Sequence, residues 1–117
     1  MLTIALAQFR PRKGDYAANL ARVTGLVAQA AALDPRPQVV AFPETSLSGY
    51  FVEGAVRDRA VPAARLAEDL DAGYRAAAAA QGADAAPIDV VIGFYEVWRA
   101  TLHNSALYVS LGGNGPV

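Results

Sequence analysis

The chain has 117 residues, enough for one domain with its own core, and its 10 basic and 11 acidic residues give no charge excess to hold a phosphate backbone or an anionic membrane surface. No apolar run approaches the roughly 20 residues of a membrane helix, and Met1-Leu2-Thr3-Ile4 lacks the basic leader of a secretory signal, so a cytoplasmic protein without nucleic-acid or membrane partners is expected. With 0 Cys and one His, these residues can form neither a disulfide nor a thiolate or His-cluster metal site, and no metal or cofactor is expected.

Leu2-Thr3-Ile4-Ala5-Leu6-Ala7 is a short aliphatic run followed by Gln8 and the polar stretch Arg10-Pro11-Arg12-Lys13-Gly14. It reads as a buried strand entering a loop. After Asp15, a natural N-cap, Leu20, Val23, Leu26, Val27, Ala30 and Ala31 recur at helical spacing until Pro35 and Pro37 end the pattern. A first helix is expected over about residues 16 to 33. Gln38 to Phe42 forms a second strand, closed by Pro43, and the Ser, Gly and aromatic residues after it make a loop.

Residues 51 to 60 are charged and show no period. Pro62 then stands where a helix start tolerates proline, and Leu66, Leu70, Tyr74, Ala77 and Ala78 define one face of a second helix that Gly82 stops. Ile88 to Val97 is the strongest strand signal in the chain. Trp98 to Asn104 is expected to turn, Ala106 to Leu111 to form a fourth strand, and Gly112-Gly113-Asn114-Gly115-Pro116 to turn again. The order strand, helix, strand, helix, strand, strand gives an α/β layer: a mostly parallel or mixed sheet with a hairpin at its end. A fourth strand followed by a turn and only Val117 leaves an unpaired edge. The expectation is therefore the front part of one larger domain, cut after the fourth strand, or a chain that needs a partner to complete its sheet.

One position stands out chemically. Glu44 follows the second strand directly, and the carboxyl ends of parallel strands are where open α/β sheets collect ligands. Burial there would favour a carboxylate acting as general base. The string Ala41-Phe42-Pro43-Glu44-Thr45-Ser46-Leu47-Ser48-Gly49-Tyr50 resembles the motif around the catalytic glutamate of the nitrilase superfamily, the carbon-nitrogen hydrolases. Ile4 to Gln8 with Gly14-Asp15 and Asn19-Leu20 is similar to that family's first strand and helix. Val91 to Glu96 with Asn104-Ser105-Ala106 is similar to its next strand pair.

The resemblance spans nearly the whole chain and implies an α-β-β-α sandwich, of which these residues supply the amino-terminal part. It also implies a Glu-Lys-Cys triad hydrolysing small-molecule amides or nitriles, in an assembly of at least two chains. Thiolate attack on the carbon, proton transfer by the glutamate and charge stabilisation by the lysine would be its steps. Of the triad only Glu44 is carried over; the family's lysine and cysteine would fall beyond Val117, and Lys13, the sole lysine, matches a loop position. Such a fragment alone is expected to be inactive. Tyr50 is a candidate substrate-binding wall or a packing residue. Glu96 could support the site, pair with Arg99 or face solvent, while His103 and Asn104 fall in the expected turn. Arg57 and Arg59, flanking Asp58, could meet a substrate acid group or simply face water.

Two other readings compete. A degenerate, non-catalytic relative could use its sheet edge and apolar face for association. A flavodoxin-like or nucleotide-binding domain is disfavoured, because Arg10 to Gly14 holds one glycine and no phosphate-cradling loop.

Overall fold

Two parallel crossovers made in the same direction set the architecture. The computed structural model describes residues 1–44, 46–47 and 60–113. The elements run β1 (Ile4–Leu6), α1 (Tyr16–Ala31), β2 (Val39–Ala41), α2 (Ala63–Ala80), β3 (Ile88–Trp98) and β4 (Thr101–Leu111). The sheet order is β1-β2-β3-β4, with β1, β2 and β3 parallel and β4 antiparallel to β3. A right-handed crossover that steps twice the same way puts both helices on the same face of the sheet. The core lies between that face and the helices.

The sequence explains each layer. Asp15 caps α1 by accepting a hydrogen bond from the Ala18 amide at 3.0 Å, which satisfies one of the four orphan donors of a helix start. Val23, Val27 and Ala30 then face inward from α1, and Leu66, Leu70, Tyr74 and Ala78 from α2. They meet Val40, Phe42, Ile88, Val90, Ile92 and Phe94 of the sheet. Leu66 and Leu70 are fully buried, each a gain of about 1.5–3 kcal/mol. The Tyr74 hydroxyl donates to the Ala86 carbonyl at 2.6 Å, so the largest core side chain buries no unpaired polar atom. Burial, first of all, raises the Tyr74 phenol above its ordinary pKa.

The end of β4 is tied down through a buried carboxylate. Asp71 of α2 accepts the Gly112 amide at 2.8 Å on one oxygen and the Arg75 guanidinium at 2.7 Å on the other. Gly112 has φ +76°, and a Cβ there would stand 2.7 Å from the carbonyl oxygens of Ala85 and Ala86. Glycine is required on both counts.

Four expectations change. The turn between β3 and β4 is two residues long, Arg99 and Ala100, both at positive φ (52° and 59°), so β4 begins at Thr101 and His103 and Asn104 lie in a strand. A two-residue turn of this kind usually carries Asn-Gly, and its absence hid how tight the expected hairpin is. Trp98 compensates on the surface, with the Arg99 guanidinium 4.5 Å over its ring; Arg99 is therefore placed on an aromatic face. Second, the aliphatic β1 is buried on one face only. Ala5 packs on the core whereas Ile4 and Leu6 remain 52% and 76% exposed, because both helices cover the opposite side. Third, Pro62 caps α2, which starts at Ala63. Fourth, His103 is a partly buried strand residue and not part of the turn; its ring meets Trp98 edge-on at 5.9 Å and its Nε2 is buried with no hydrogen-bond partner among the described residues.

α1 and α2 cross at Gly73, where an added Cβ would stand 2.7 Å from Thr24 Cγ2. A Cβ added at Gly25 of α1 would meet nothing within 4 Å among the described residues. Glycine-to-alanine substitution in a helix ordinarily gains up to about 1 kcal/mol, so the two sites should respond with opposite sign. Gly25→Ala is expected to raise unfolding stability by about 0.5–1 kcal/mol and Gly73→Ala to lower it by about 1–3 kcal/mol through overpacking. In a urea-denaturation double-mutant cycle, Thr24→Ser, which removes the nearest of the crowded atoms, should recover part of the Gly73→Ala loss; additive effects would contradict the crossing geometry.

Candidate functional site

Glu44 emerges where the sheet changes length. β2 ends at Ala41, with the Phe42 amide still donating to the Val91 carbonyl at 2.8 Å. β3 runs on for seven residues beyond Val91. Val61, the residue before the α2 cap, takes the vacated place beside β3 through hydrogen bonds with Tyr95 and Val97. The chain leaving β2 is therefore free to lean over the open face of β3 and β4. Glu44 is placed there.

That face is built from alternate residues. Val91 pairs with Tyr108, Gly93 with Ala106 and Tyr95 with Asn104, and all six point away from the helices, opposite to the buried Val90, Ile92 and Phe94. The middle pair has almost no side chain. It forms the floor of a shallow concavity of about 250 Å³, lined by Phe42, Glu44, Val91, Gly93, Asn104, Ser105 and Ala106. Asn104 Nδ2 donates to Glu44 Oε1 at 3.3 Å. Glu44 is exposed, so the expected burial is not met among the described residues.

The loop carrying Glu44 is held from below. Asn19 is 1% exposed. Its Nδ2 donates to the carbonyls of Arg12 (2.7 Å) and Leu47 (2.9 Å), and its Oδ1 accepts the Arg12 amide at 2.6 Å. Ser46 Oγ donates to the Pro43 carbonyl at 2.5 Å, and Leu47 is buried in the core. The residues before and after Glu44 are thus fixed to the β1–α1 loop and to the hydrophobic core. In the sequence Asn19 stands out only within the resemblance of the first helix. Its signal was an amide inside the first helical turn, where a side chain can reach neighbouring loops.

The other candidates separate from this point. Glu96 and Ser105 face the helix side and bond each other at 2.8 Å. Lys13 is exposed in the β1–α1 loop. Tyr50, Arg57, Asp58 and Arg59 lie outside the described residues. No cluster of three or more potential metal ligands occurs among the described residues. None of the described helices is long and apolar enough to cross a membrane.

The carbon-nitrogen hydrolase family model matches residues 3–116. The chain belongs to the carbon-nitrogen hydrolase family. Among solved structures, this carbon-nitrogen hydrolase chain is similar to the glutamine-dependent NAD+ synthetase from Acinetobacter baumannii, solved with ADP. The TM-score is 0.62 at 25% identity, covering 91% of this chain and 18% of that one. An N-terminal amidase gives a TM-score of 0.65 at 20% identity, covering 92% and 25%. The chain thus spans about a fifth to a quarter of the length of these proteins. Comparison with curated protein sequences gave no match.

The Asn19 network yields a stability prediction. Asn19→Leu removes three hydrogen bonds and leaves the Leu47 and Arg12 carbonyls and the Arg12 amide without partners. A loss of about 2–4 kcal/mol in denaturant unfolding is expected, at about 1–3 kcal/mol for each unsatisfied buried group less what the loop recovers from water. Asn19→Asp, which keeps the acceptor and loses the donors, should fall between. A loss below about 0.5 kcal/mol for Asn19→Leu would show that the loop is held by other means.

Proposed function

We propose that this chain is the glutamate-bearing part of an amidase- or nitrilase-type hydrolase, in which Glu44 acts as the general base on a small-molecule amide or nitrile. The observation that carries the reading is the place of Glu44: a carboxylate at the carboxyl end of a parallel strand, over a concavity floored by Gly93 and Ala106, in a loop anchored on both sides. Family membership supports the reaction class. In the proposed steps a thiol nucleophile attacks the substrate carbon, and its proton passes to the Glu44 carboxylate. On an amide the same group then hands the proton to the nitrogen that leaves as the C–N bond breaks, and on a nitrile to the nitrogen of the thioimidate formed; it later deprotonates the water whose oxygen bonds the acyl carbon, and that proton returns to sulfur as the C–S bond breaks.

The nucleophile and the ammonium group that would stabilise the developing negative charge come from outside this chain. It has 0 Cys, and Lys13 stands on the β1–α1 loop. The concavity is also too small for the task alone. At about 250 Å³ it falls below the roughly 300–1,000 Å³ of ligand pockets that bury most of a substrate. A larger hollow of about 600 Å³ lies between α1 and α2, lined by Tyr16, Leu20, Thr24, Arg65 and Gly73 among others. Glu44 does not reach it, and its tyrosine is held protonated, its pKa raised first by burial and then by donating to Asp69 at 2.8 Å.

A non-catalytic association module is the second reading. It is favoured by one observation, the apolar open face on which Ile4, Leu6 and Tyr108 are 52%, 76% and 60% exposed. Such a face could meet a second copy or a complementary chain.

The complete protein containing this segment is expected to release ammonia from at least one member of a panel of primary amides, glutamine included, and aliphatic and aromatic nitriles. Glu44→Gln should lower kcat by at least about 10²–10⁴-fold with an unchanged melting temperature, and the isolated 117-residue chain should give no turnover above background. Retained turnover in Glu44→Gln, or none by the complete protein on any panel member, would overturn the catalytic reading.

A further inference from the structure

We propose that Asn104 is a positioning residue for the Glu44 carboxylate, an inference that rests on the base role of Glu44. Among the described residues Asn104 is the only side chain that hydrogen-bonds Glu44, through Nδ2 to Oε1 at 3.3 Å. The contact joins residues 60 apart in sequence and crosses from the end of β2 over β3 to β4. Strands lie about 4.8 Å apart, so the loop spans about 10 Å of sheet to make it. The Gly93–Ala106 pair in between carries nothing that would block the approach.

Asn104 itself is held on a firm support. β3 and β4 pair without interruption from Ile88–Leu111 to Trp98–Thr101. The residues on either side of Asn104 point to the opposite face, where each is engaged: Ser105 donates to Glu96 Oε1 at 2.8 Å, and the His103 ring meets Trp98. With both neighbours engaged below the sheet, the backbone that carries the Asn104 amide is held in register. Glu96 acts here through the strand and touches neither Glu44 nor its concavity.

The chemistry favours an amide at this point. The terminal torsion of a glutamate is broad, so an unrestrained carboxylate offers either oxygen in many orientations. One donor on Oε1 narrows that torsion and leaves Oε2 as the oxygen for proton transfer. An amide N–H does this without a charge. A guanidinium or ammonium in its place would favour the ionised carboxylate so strongly that it became a poor proton acceptor. An amide also does not titrate, so the alignment holds at every working pH.

The test uses the complete protein and the panel amide or nitrile that it turns over fastest. Asn104→Thr suits a strand and removes the amide; it is expected to lower kcat about 10–100-fold, with KM within about twofold and the melting temperature unchanged. Asn104→Asp sets a second carboxylate beside Glu44, where two like charges resist joint ionisation. The acid limb of its kcat/KM profile should move up by about one pH unit, a displacement that a purely structural strand residue would not cause. Wild-type kcat in Asn104→Thr together with an unmoved acid limb in Asn104→Asp overturns the positioning role while Glu44→Gln remains inactive. Full turnover in Glu44→Gln overturns the base role and this inference with it.

Discussion

The handedness of two crossovers governs most of what this molecule presents. Because β1, β2 and β3 succeed one another in the same direction, right-handed connections lay α1 and α2 on a single face. The helices, both amphipathic, find their partner in each other and in the even-numbered residues of β3. The odd-numbered residues of that strand face the other way, beneath the loop that carries Glu44. An apolar inner face, a bare outer one and a carboxylate over the bare one all follow from that single topological fact.

Position on the sheet is not enough for a functional side chain; its backbone must also be fixed. Here the fixing is done by polar groups that are themselves fully used. Asn19 spends both amide hydrogens and its oxygen on two loops that are distant in sequence. Asp71 occupies both oxygens in joining the end of β4 to α2. Buried polar groups of this kind cost little when every atom is paired and several kcal/mol when one is not. They therefore tie the loops to one arrangement more sharply than apolar packing, which tolerates small slides, would do.

How far the sequence discloses this depends on the range of the interaction. Strand and helix order, the Asp15 cap, the stop at Gly82 and the place of Glu44 after β2 are written in local patterns, and the structure keeps them. The β3–β4 turn was not legible, since Arg99 and Ala100 adopt a left-handed conformation without the glycine or asparagine that would signal it. That one omission moved Asn104 from strand to turn and hid its contact with Glu44, an effect at a separation of 60 residues. The exposure of Ile4 and Leu6 was hidden for another reason. A run of apolar residues states that a strand has two apolar faces, and only topology states which one these helices cover.

Two carboxylates share the open face, and the contrast between them bears on what that face can do. Asp89, near the start of β3, accepts Tyr108 Oη at 2.6 Å on one oxygen and Ser110 Oγ at 2.7 Å on the other. The bond from Tyr108 is the main reason its phenol is raised above the ordinary tyrosine pKa. Both Asp89 oxygens are thus already engaged from within the sheet. Glu44 is provided differently: among the described residues it receives one side-chain donor, Asn104 on Oε1, at the edge of the concavity that it lines. A layer laid over this face would seal Asp89 into a finished network, whereas at Glu44 it would enclose an acceptor with capacity in hand. Removal of water strengthens whatever interaction such an acceptor makes. On the proposed base role of Glu44, such a loss of water would sharpen proton transfer there while leaving Asp89 to its two hydroxyls.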